Sequence, residues 1–193
     1  SDDDVINPNY FNKALKFLKM NQNYSAASGR TIALQYKKKF TYLGYRFVNH
    51  LPNNYDVFSD NFIERIKSLE NYYNIGCPPI YYAVKRKECY DLIEKNIDKI
   101  RYANFIEQLD KISTLLIGGV KVIDTFMGLR DYSIGAIDTK TRDATSNIDI
   151  QEQTGILKRM IFEFFISKKG EKYAKHASNY AFQSGDNTLL ANN

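Results

Sequence analysis

The cations of the N-terminal quarter are the residues whose pattern most directly indicates a chemistry. From residue 5 to residue 55 the chain holds no Asp or Glu, although the whole chain of 193 residues contains 22. The same segment has a charge of +8, and its cations are Lys13, Lys16, Lys19, Arg30, Lys37, Lys38, Lys39 and Arg46. Because the whole chain carries +5, the remaining residues sum to −3. So long a segment of one sign indicates a polyanionic or acidic partner.

Two aromatic residues beside these cations indicate a partner that has flat bases as well as negative charge. Tyr42 and Tyr45 lie next to the predicted core stripe and are candidates for stacking on bases. Lys and Arg neutralise phosphates and release counterions, which makes such binding sensitive to salt. We therefore predict binding of RNA or single-stranded DNA, as in a nucleoprotein, packaging or replication accessory protein of viral or phage-like type. The predicted site comprises Lys13, Lys16, Lys19, Arg30, Lys37, Lys38, Lys39, Tyr42, Tyr45 and Arg46.

Other functions remain open. The same basic and aromatic segment also suits contact with an acidic protein surface or with a second copy of the chain, in a non-enzymatic helical interaction or self-assembly module. An enzyme with a site assembled from scattered residues is not favoured, because glycine-rich phosphate loops, HExxH and GxSxG are absent. Peripheral contact with anionic lipid is not favoured either, since the apolar face of the first helix is no larger than a core helix requires.

No cofactor, metal or catalytic residue is predicted. Cys77 and Cys89 stand twelve residues apart, and neither is placed with His50 or His176 at the spacing of metal ligands. Cys89 lies on a predicted helix face and is expected to be a buried, reduced thiol, as in an intracellular, soluble (cytoplasmic) protein. The apolar run at 115–120 is far shorter than the roughly 20 residues of a membrane span, and no signal-peptide pattern opens the chain.

The apolar spacing along the chain predicts an all-α fold, a single-domain bundle of five to seven helices. Its core is expected to contain Ile, Leu, Phe and Tyr, since the chain has 15 Tyr and 12 Phe but no Trp. A length of 193 residues suits one domain, which we place at residues 1–183. Residues 184–193 are expected to form a disordered tail.

The Asn-Pro pair at 7–8 predicts the start of a first helix over residues 8–21. Its apolar face is expected to contain Phe11, Leu15 and Leu18, which recur at helical spacing. The three lysines of this helix are spaced three residues apart. They drift slowly around the helix and are able to follow the edge of a polyanion.

The next segment fits two structures. Residues 21–29 are small and polar and predict a loop. Residues 30–51 carry apolar side chains at steps of three and four, which favours a helix. The same residues also alternate in part, as strands do, and this allows a small hairpin at about 31–48 that turns at 37–39. The hairpin would make the fold α+β.

The rest of the chain is expected to be helical apart from one long loop. Capping residues and apolar spacing predict helices over about 59–76, 78–100, 103–126 and 157–181. Cys89, Ile93, Ile97 and Ile100 are expected to face inward and residues 85–88 outward, while Gly118-Gly119 marks a kink or break in the third of these helices. Periodicity disappears at 131–154, which predicts a loop that is functional or mobile.

Overall fold

The fold is built around a mixed β-sheet with helices on both faces, so the prediction of an all-α bundle is wrong. The structure is a computed structural model, and it describes residues 5–36, 45–49, 56–73, 80–100, 103–131, 147–171, 174–175 and 178. The alternative hairpin at about 31–48 agrees with the structure in pairing two strands antiparallel there, but it misses the rest of the sheet.

Within the described residues the chain forms six strands and five α-helices. The strands are β1 (Val5–Ile6), β2 (Tyr24–Tyr36), β3 (Tyr45–Asn49), β4 (Asp56–Val57), β5 (Val84–Lys85) and β6 (Gly119–Asp131). The helices are α1 (Pro8–Met20), α2 (Phe62–Tyr73), α3 (Asp91–Glu94), α4 (Ala103–Ile117) and α5 (Asn147–Lys169). Short 3₁₀ helices occur at Ile80–Tyr82, Lys87–Tyr90 and Ile97–Lys99.

The two long strands, β2 and β6, form the centre of the sheet. They pair in parallel from Tyr24 opposite Gly119 to Leu34 opposite Asp131, with register shifts along the way. Strands β5 and β3 pair antiparallel with β2, and β4 and β1 pair antiparallel with β6. Parallel strands require a long crossover connection. Here the crossover carries α2, α3 and α4 to one face of the sheet.

The sheet separates a large core from a small one. Residues of α2, α3, α4 and α5 pack with one face of the sheet in the main core, which includes Leu109, Val120 and Ile161. On the other face lies the small core of α1, formed by Tyr10, Ala14, Leu18, Ala27 and Met127. The neighbouring residues Ala26 and Ala27 belong to different cores, because successive side chains of a strand point to opposite faces. Strand β2 is therefore covered on both sides.

The first half of β2 occupies part of the predicted loop at 21–29, and that prediction is wrong. Its residues 25–29 are small, and all of them are buried. A Cβ atom on Gly29 would lie 2.8 Å from both the Cβ of Met127 and the carbonyl oxygen of Thr125. The small residues are thus required by close packing in the middle of a sheet. The helix favoured for residues 30–51 is also wrong, because β2 continues to Tyr36 and β3 occupies Tyr45–Asn49.

The predicted helix at 103–126 is half correct. Helix α4 ends at Ile117, and β6 begins at Gly119, so the glycine pair is a break between a helix and a strand. A Cβ atom on Gly118 would lie 2.7 Å from the carbonyl oxygen of Asn23, in the turn before β2. Only glycine allows the two helix-to-strand corners to approach this closely.

Three other predictions have mixed outcomes. Helices α1, α2 and α5 confirm the helices expected near their positions. The helix at 78–100 is wrong, because the described part of that segment consists of short helices and β5; Cys89 and Ile93 are buried as expected, but Ile97 is exposed. Helix α5 begins at Asn147, inside the loop expected at 131–154. The tail at 184–193 lies outside the described residues.

Candidate functional site

Helix α1 carries the first three predicted site residues, and its N-terminus is tied to the sheet by Asn7. The side-chain oxygen of Asn7 accepts a hydrogen bond from the backbone N–H of Asn9 (3.1 Å), and Pro8 occupies the first helical position. The backbone N–H and the side-chain amide of Asn7 donate to the carbonyl oxygens of Met127 (2.7 Å) and Phe126 (3.0 Å). The start of α1 is therefore held against β6.

The C-terminus of α1 is held by Arg86, a residue just after β5. Its Nη2 donates to the carbonyl oxygens of Leu18 (2.6 Å) and Asn21 (3.2 Å), and its Nε donates to that of Tyr24 (2.7 Å). A cation is favourable here because the last carbonyls of a helix lack partners and carry its negative dipole end. The prediction that Arg86 belongs to a solvent-facing run at 85–88 is wrong.

Tyr10 anchors the buried face of α1 to strands β2 and β5. It is fully buried, its hydroxyl donates to the carbonyl oxygen of Ala27 (2.6 Å), and it accepts from the backbone N–H of Val84 (3.1 Å). Burial raises the pKa of Tyr10 to about 12, so the hydroxyl remains protonated at neutral pH. Helix α1 is thus anchored at both ends and through its buried face, which gives its outer face a rigid support.

The buried face of α1 confirms the prediction for Leu18, but the prediction is wrong for Phe11 and Leu15. Tyr10, Ala14 and Leu18 are buried, whereas Phe11 and Leu15 are 44% and 48% exposed. Both sets have helical spacing, but the first is rotated by about 100° from the second. Small Ala14 allows α1 to lie close to β2. The larger apolar side chains are left at the border of the outer face.

Lys13, Lys16 and Lys19 are all exposed on α1. Among the described residues, none of these three lysines forms an ion pair. Each step of three residues advances about 4.5 Å along the helix and turns about 60° around it. The three ammonium groups therefore start from a diagonal row that crosses the outer face of α1. We call this the lysine row.

The other predicted site residues have different environments. Arg30 is on β2, where its Nη2 lies 2.9 Å from Oδ1 of Asp124, so an acid compensates its charge. On β3, Tyr45 is paired with Tyr36 and Arg46 with Gln35 in the register with β2. Lys37, Lys38, Lys39 and Tyr42 lie outside the described residues. Of the predicted site residues that the structure describes, the lysine row is the group that lies together on one element.

A second group of ionisable side chains is buried between β5 and α4. Lys85 and Asp110 form an ion pair in which both side chains are almost fully buried, whereas the sequence predicted that Lys85 faces solvent. Burial lowers the pKa of Lys85 and raises the pKa of Asp110, and their mutual attraction opposes both shifts. Nζ of Lys85 also lies 5.7 Å from the centre of the Tyr90 ring. The sequence around Lys85 contains no pattern that predicts an ion pair between Lys85 and a residue of α4.

Cys89 lies beside this ion pair. Its thiol donates weakly to the carbonyl oxygen of Ser25 (3.8 Å), and Ser113 donates to the carbonyl oxygen of Cys89. Burial raises the pKa of the Cys89 thiol to about 11, so it is protonated at neutral pH and is a weak nucleophile. The predicted buried, free thiol is confirmed, while Cys77 lies outside the described residues. These contacts join α4 to residues 84–90, which is a structural role.

The described part of the chain lacks a metal-binding cluster and a membrane-spanning helix. There, no group of three or more His, Cys, Asp and Glu side chains is placed to hold a metal ion. No helix in that part is both long enough and apolar enough to cross a bilayer. Comparison of the chain with protein-family models, curated proteins and solved structures finds no significant match.

Proposed function

We propose that this chain is a non-enzymatic nucleic-acid-binding protein whose α1 helix contacts phosphates. One observation carries the proposal: the lysine row (Lys13, Lys16 and Lys19) is exposed, unpaired among the described residues, and mounted on an anchored helix. Other cations of the described residues make internal contacts: Lys85 forms an ion pair with Asp110, and Arg86 donates to a carbonyl oxygen of α1. The lysines of the row form no ion pair among the described residues, so their charges are available to an external anion.

The physical basis is electrostatic. The ammonium groups are separated by about 4.5 Å along the helix axis per step, and long flexible side chains allow each to adjust to a phosphate. Each phosphate that is neutralised releases condensed counterions, so affinity must fall as salt rises. The absence of acids from residue 5 to residue 55 leaves no nearby negative side chain in sequence to weaken this attraction. RNA and single-stranded DNA both provide the required row of phosphates.

The remaining predicted residues extend the proposed surface. Lys37, Lys38, Lys39 and Tyr42 stay predictions as further phosphate and base contacts. Tyr45 and Arg46 belong to β3, which pairs with the second half of β2. Arg30 is retained as a contact that must first exchange Asp124 for a phosphate. We expect its contribution to be smaller than that of any lysine in the row.

The decisive experiment measures binding across salt. Fluorescence anisotropy with a labelled single strand of about 16 nucleotides is recorded from about 50 to 200 mM salt for the full chain. We expect a combined Lys13→Gln, Lys16→Gln, Lys19→Gln variant to bind at least about tenfold more weakly. Its plot of log affinity against log salt should be shallower by about 2, because each phosphate contact to a single strand contributes about 0.7 to the slope.

The chain offers a matched control for the same change of charge. Lys87, Lys95 and Lys99 are also exposed, but they lie among acids in the segment that contains α3. Their combined change to Gln should leave the salt slope nearly unaltered. An equal loss in both triple variants, or no binding by the unmodified chain at about 50 mM salt, would show the proposal to be wrong.

A second candidate function, contact with an acidic protein surface or a second copy of the chain, is favoured by one observation. The exposed side chains of α1 include Phe11, Leu15 and Met20, of which Met20 is 73% exposed. Apolar side chains beside cations are also found at protein interfaces. Light scattering at two protein concentrations tests self-association, which predicts a rise in mass with concentration and a loss of that rise in Leu15→Lys.

A further inference from the structure

We infer that the nucleic acid bound beside α1 is single-stranded and that one of its bases stacks on Phe58. This inference rests on the proposed function, since it names the class of ligand for the surface that carries the lysine row. Phe58 directly follows β4 and is 45% exposed. The sequence gave it no role, because only the fold brings it next to β2 and α1.

Three aromatic rings form a continuous series that runs from α1 to Phe58. The centre of the Phe17 ring lies 5.1 Å from that of Tyr24, with the two planes at 66°. The Tyr24 ring in turn stacks on Phe58, with centres 5.2 Å apart and planes at 28°. Phe17 and Tyr24 pack against the small core and are partly buried. Phe58 is therefore the outermost and most exposed ring of the series.

The Phe58 ring is held in place by its neighbours. Glycine at the start of β6 allows the two stacked rings to lie against the strand, because a Cβ atom on Gly119 would lie 3.2 Å from both Cδ2 of Phe58 and Cδ1 of Tyr24. The Tyr24 hydroxyl donates to Oδ2 of Asp56 (3.1 Å), which fixes the lower ring. Tyr24 covers one face of Phe58, so the exposed surface lies on the other side. A pre-positioned, exposed ring is what base stacking requires.

The lysine row leads to this aromatic series. Phe17 comes four residues after Lys13, so the two side chains are neighbours on α1, about 40° apart around the helix. From its last lysine to its first, the row turns in steps of about 60° toward the side that carries Phe17. Lys13 is thus the end of the row that lies nearest the rings. A strand whose phosphates follow the row reaches the aromatic series at this end.

The carboxylate beside the rings is already paired with a cation. Nζ of Lys121 lies 2.5 Å from Oδ2 of Asp56, the same oxygen that accepts from Tyr24. This ion pair contributes no net charge next to Phe58. Attraction of the strand therefore comes from the lysine row, and the rings add a contact that depends on the bases.

The arrangement favours a single strand over a duplex. In a duplex the faces of the bases are stacked on one another, so a ring on the protein surface meets only sugars, phosphates and base edges. In a single strand the faces of the bases are free to stack on aromatic side chains. The lysine row can hold phosphates of either form, but Phe58 adds affinity only for the single strand. We therefore expect this ring to control the preference between the two forms.

The first test places a fluorescent reporter at the proposed stacking position of the full chain. The chain contains no Trp, so Phe58→Trp carries a single tryptophan. We expect a single strand of about 16 nucleotides to reduce its fluorescence by about half or more, because a base stacks on the indole ring, and a duplex to leave it nearly unchanged.

Phe11→Trp is the matched control for the reporter. Phe11 is 44% exposed and belongs to α1, but it lies about 160° around the helix from Lys13. Its tryptophan should be quenched little by the same strand. Equal quenching at both positions, or none at position 58 under conditions where anisotropy shows binding, would overturn the assignment to Phe58.

The second test measures how much the ring contributes to affinity. Phe58→Leu keeps an apolar side chain against Tyr24 and removes the ring. We expect it to weaken binding of the single strand by about fivefold or more, with an unaltered salt slope and unaltered duplex binding. Phe58→Tyr retains a ring and should bind within about twofold of the unmodified chain. An equal loss in both variants would overturn stacking.

An abasic oligonucleotide separates stacking from other effects of the substitution. This probe retains phosphates and sugars but has no bases, so the unmodified chain should bind it about as weakly as Phe58→Leu binds the normal strand. Phe58→Leu should then have no further effect on abasic binding. An equal loss of affinity for normal and abasic strands would overturn the stacking role and would point to a general change in the fold.

The outcomes distinguish failure of this inference from failure of the proposed function. If the lysine-row variant loses binding while Phe58→Leu does not, phosphate binding stands and stacking is wrong. If neither variant affects binding, both are wrong. A shift of Phe58→Trp fluorescence to shorter wavelength on vesicles of anionic phospholipid, without binding to the single strand, would likewise overturn both and assign this surface to a membrane.

Discussion

The cations on the two faces of the β-sheet have opposite environments. On the face covered by α2, α4 and α5, Lys85 is buried against Asp110, and Arg65 is buried with its Nε donating to the carbonyl oxygen of Leu115 (2.6 Å). On the other face, α1 packs on the sheet, and its lysine row is exposed. Lys85 and Arg65 thus support the fold, whereas the lysines of the row are exposed to solvent.

The corners that lead into the two central strands have the same construction on both faces. Helix α1 turns into β2 with Arg86 on its last carbonyls, and α4 turns into β6 with Arg65 on the carbonyls of Leu115 and Leu116. Each arginine comes from the crossover between the parallel strands. The difference between the faces therefore arises from what covers each helix. The corners themselves are alike.

The largest expected effect is on the buried ion pair. Lys85→Met leaves the Asp110 carboxylate buried without its cation, and we expect a loss of about 3–5 kcal/mol in the free energy of unfolding. Urea denaturation measures it. Adding Asp110→Leu should restore most of the loss, and the exposed Lys87→Met should change stability by no more than about 0.5 kcal/mol. A single variant as stable as the unmodified chain would contradict the structural role of Lys85.

Arg65 and Arg86, which bind carbonyl oxygens at the ends of α4 and α1, should contribute different amounts to the free energy of unfolding. Arg65→Met leaves buried carbonyls without donors, and we expect a loss of about 3 kcal/mol. Arg86→Met should lose about 2 kcal/mol, because water can reach the partly buried end of α1 and replace some of the donors. Thermal and urea unfolding of both variants test the order. The reverse order would show that the face carrying α1 is the more tightly held.

Tyr10→Phe is expected to have a smaller effect that depends on pH. It removes the hydrogen bond to Ala27 and the acceptor of the Val84 N–H, for a loss of about 1–2 kcal/mol at neutral pH. Burial raises the pKa of Tyr10 from 10.0 to about 12. The unfolded chain therefore ionises first, and the stability linked to this hydroxyl is complete below pH 10 and is lost from about pH 10 to 12.

Denaturation at several alkaline pH values measures this dependence. The unmodified chain should lose stability from pH 10 to 12 more steeply than Tyr10→Phe. Part of the slope should remain in the variant, because the pKa of Tyr24 is also raised to about 12 and that of Cys89 to about 11. Identical slopes in the two proteins would contradict a buried, protonated Tyr10.

The smallest effect on stability is expected for the lysine row. The combined change of Lys13, Lys16 and Lys19 to Gln removes no ion pair of the described residues and relieves repulsion between like charges. The free energy of unfolding should change by no more than about 0.5 kcal/mol. Urea denaturation at low salt measures it. A large loss would mean that these lysines support the fold, and the contrast between the two faces would disappear.

The sequence predicted the bounds of α1 well because the capping residues Asn7 and Pro8 act locally. It did not predict which face is buried, since Phe11 with Leu15 and Tyr10 with Ala14 have the same spacing. The choice between them depends on β2, whose small residues accept Ala14 at close range. Exposure of the lysine row followed from charge, because isolated ammonium groups are rarely buried.

The strands were harder to predict than the helices. Residues 25–29 of β2 are small because two layers pack on them, and a short sequence window cannot distinguish this from a loop. In β6, Val120 and Val122 face the main core while Ile123 faces the small one, so apolar residues occur at adjacent positions as well as at a step of two. The pairing of Lys85 with Asp110 depends on tertiary contact and has no local pattern.

The parallel pairing of β2 with β6 also has a kinetic consequence. Tyr10 binds the nearby Ala27, but the two ends of α1 are anchored by Arg86 and by residues 126–127, so its lysine row is fully positioned only after most of the crossover is in place. Contacts this distant in sequence make folding slow compared with a helical bundle. During synthesis residues 5–55 leave the ribosome long before β6 does, so the contacts between α1 and β6 form only after β6 has been made. A fragment that ends before Gly119 would present the same lysines without the surface that arranges them.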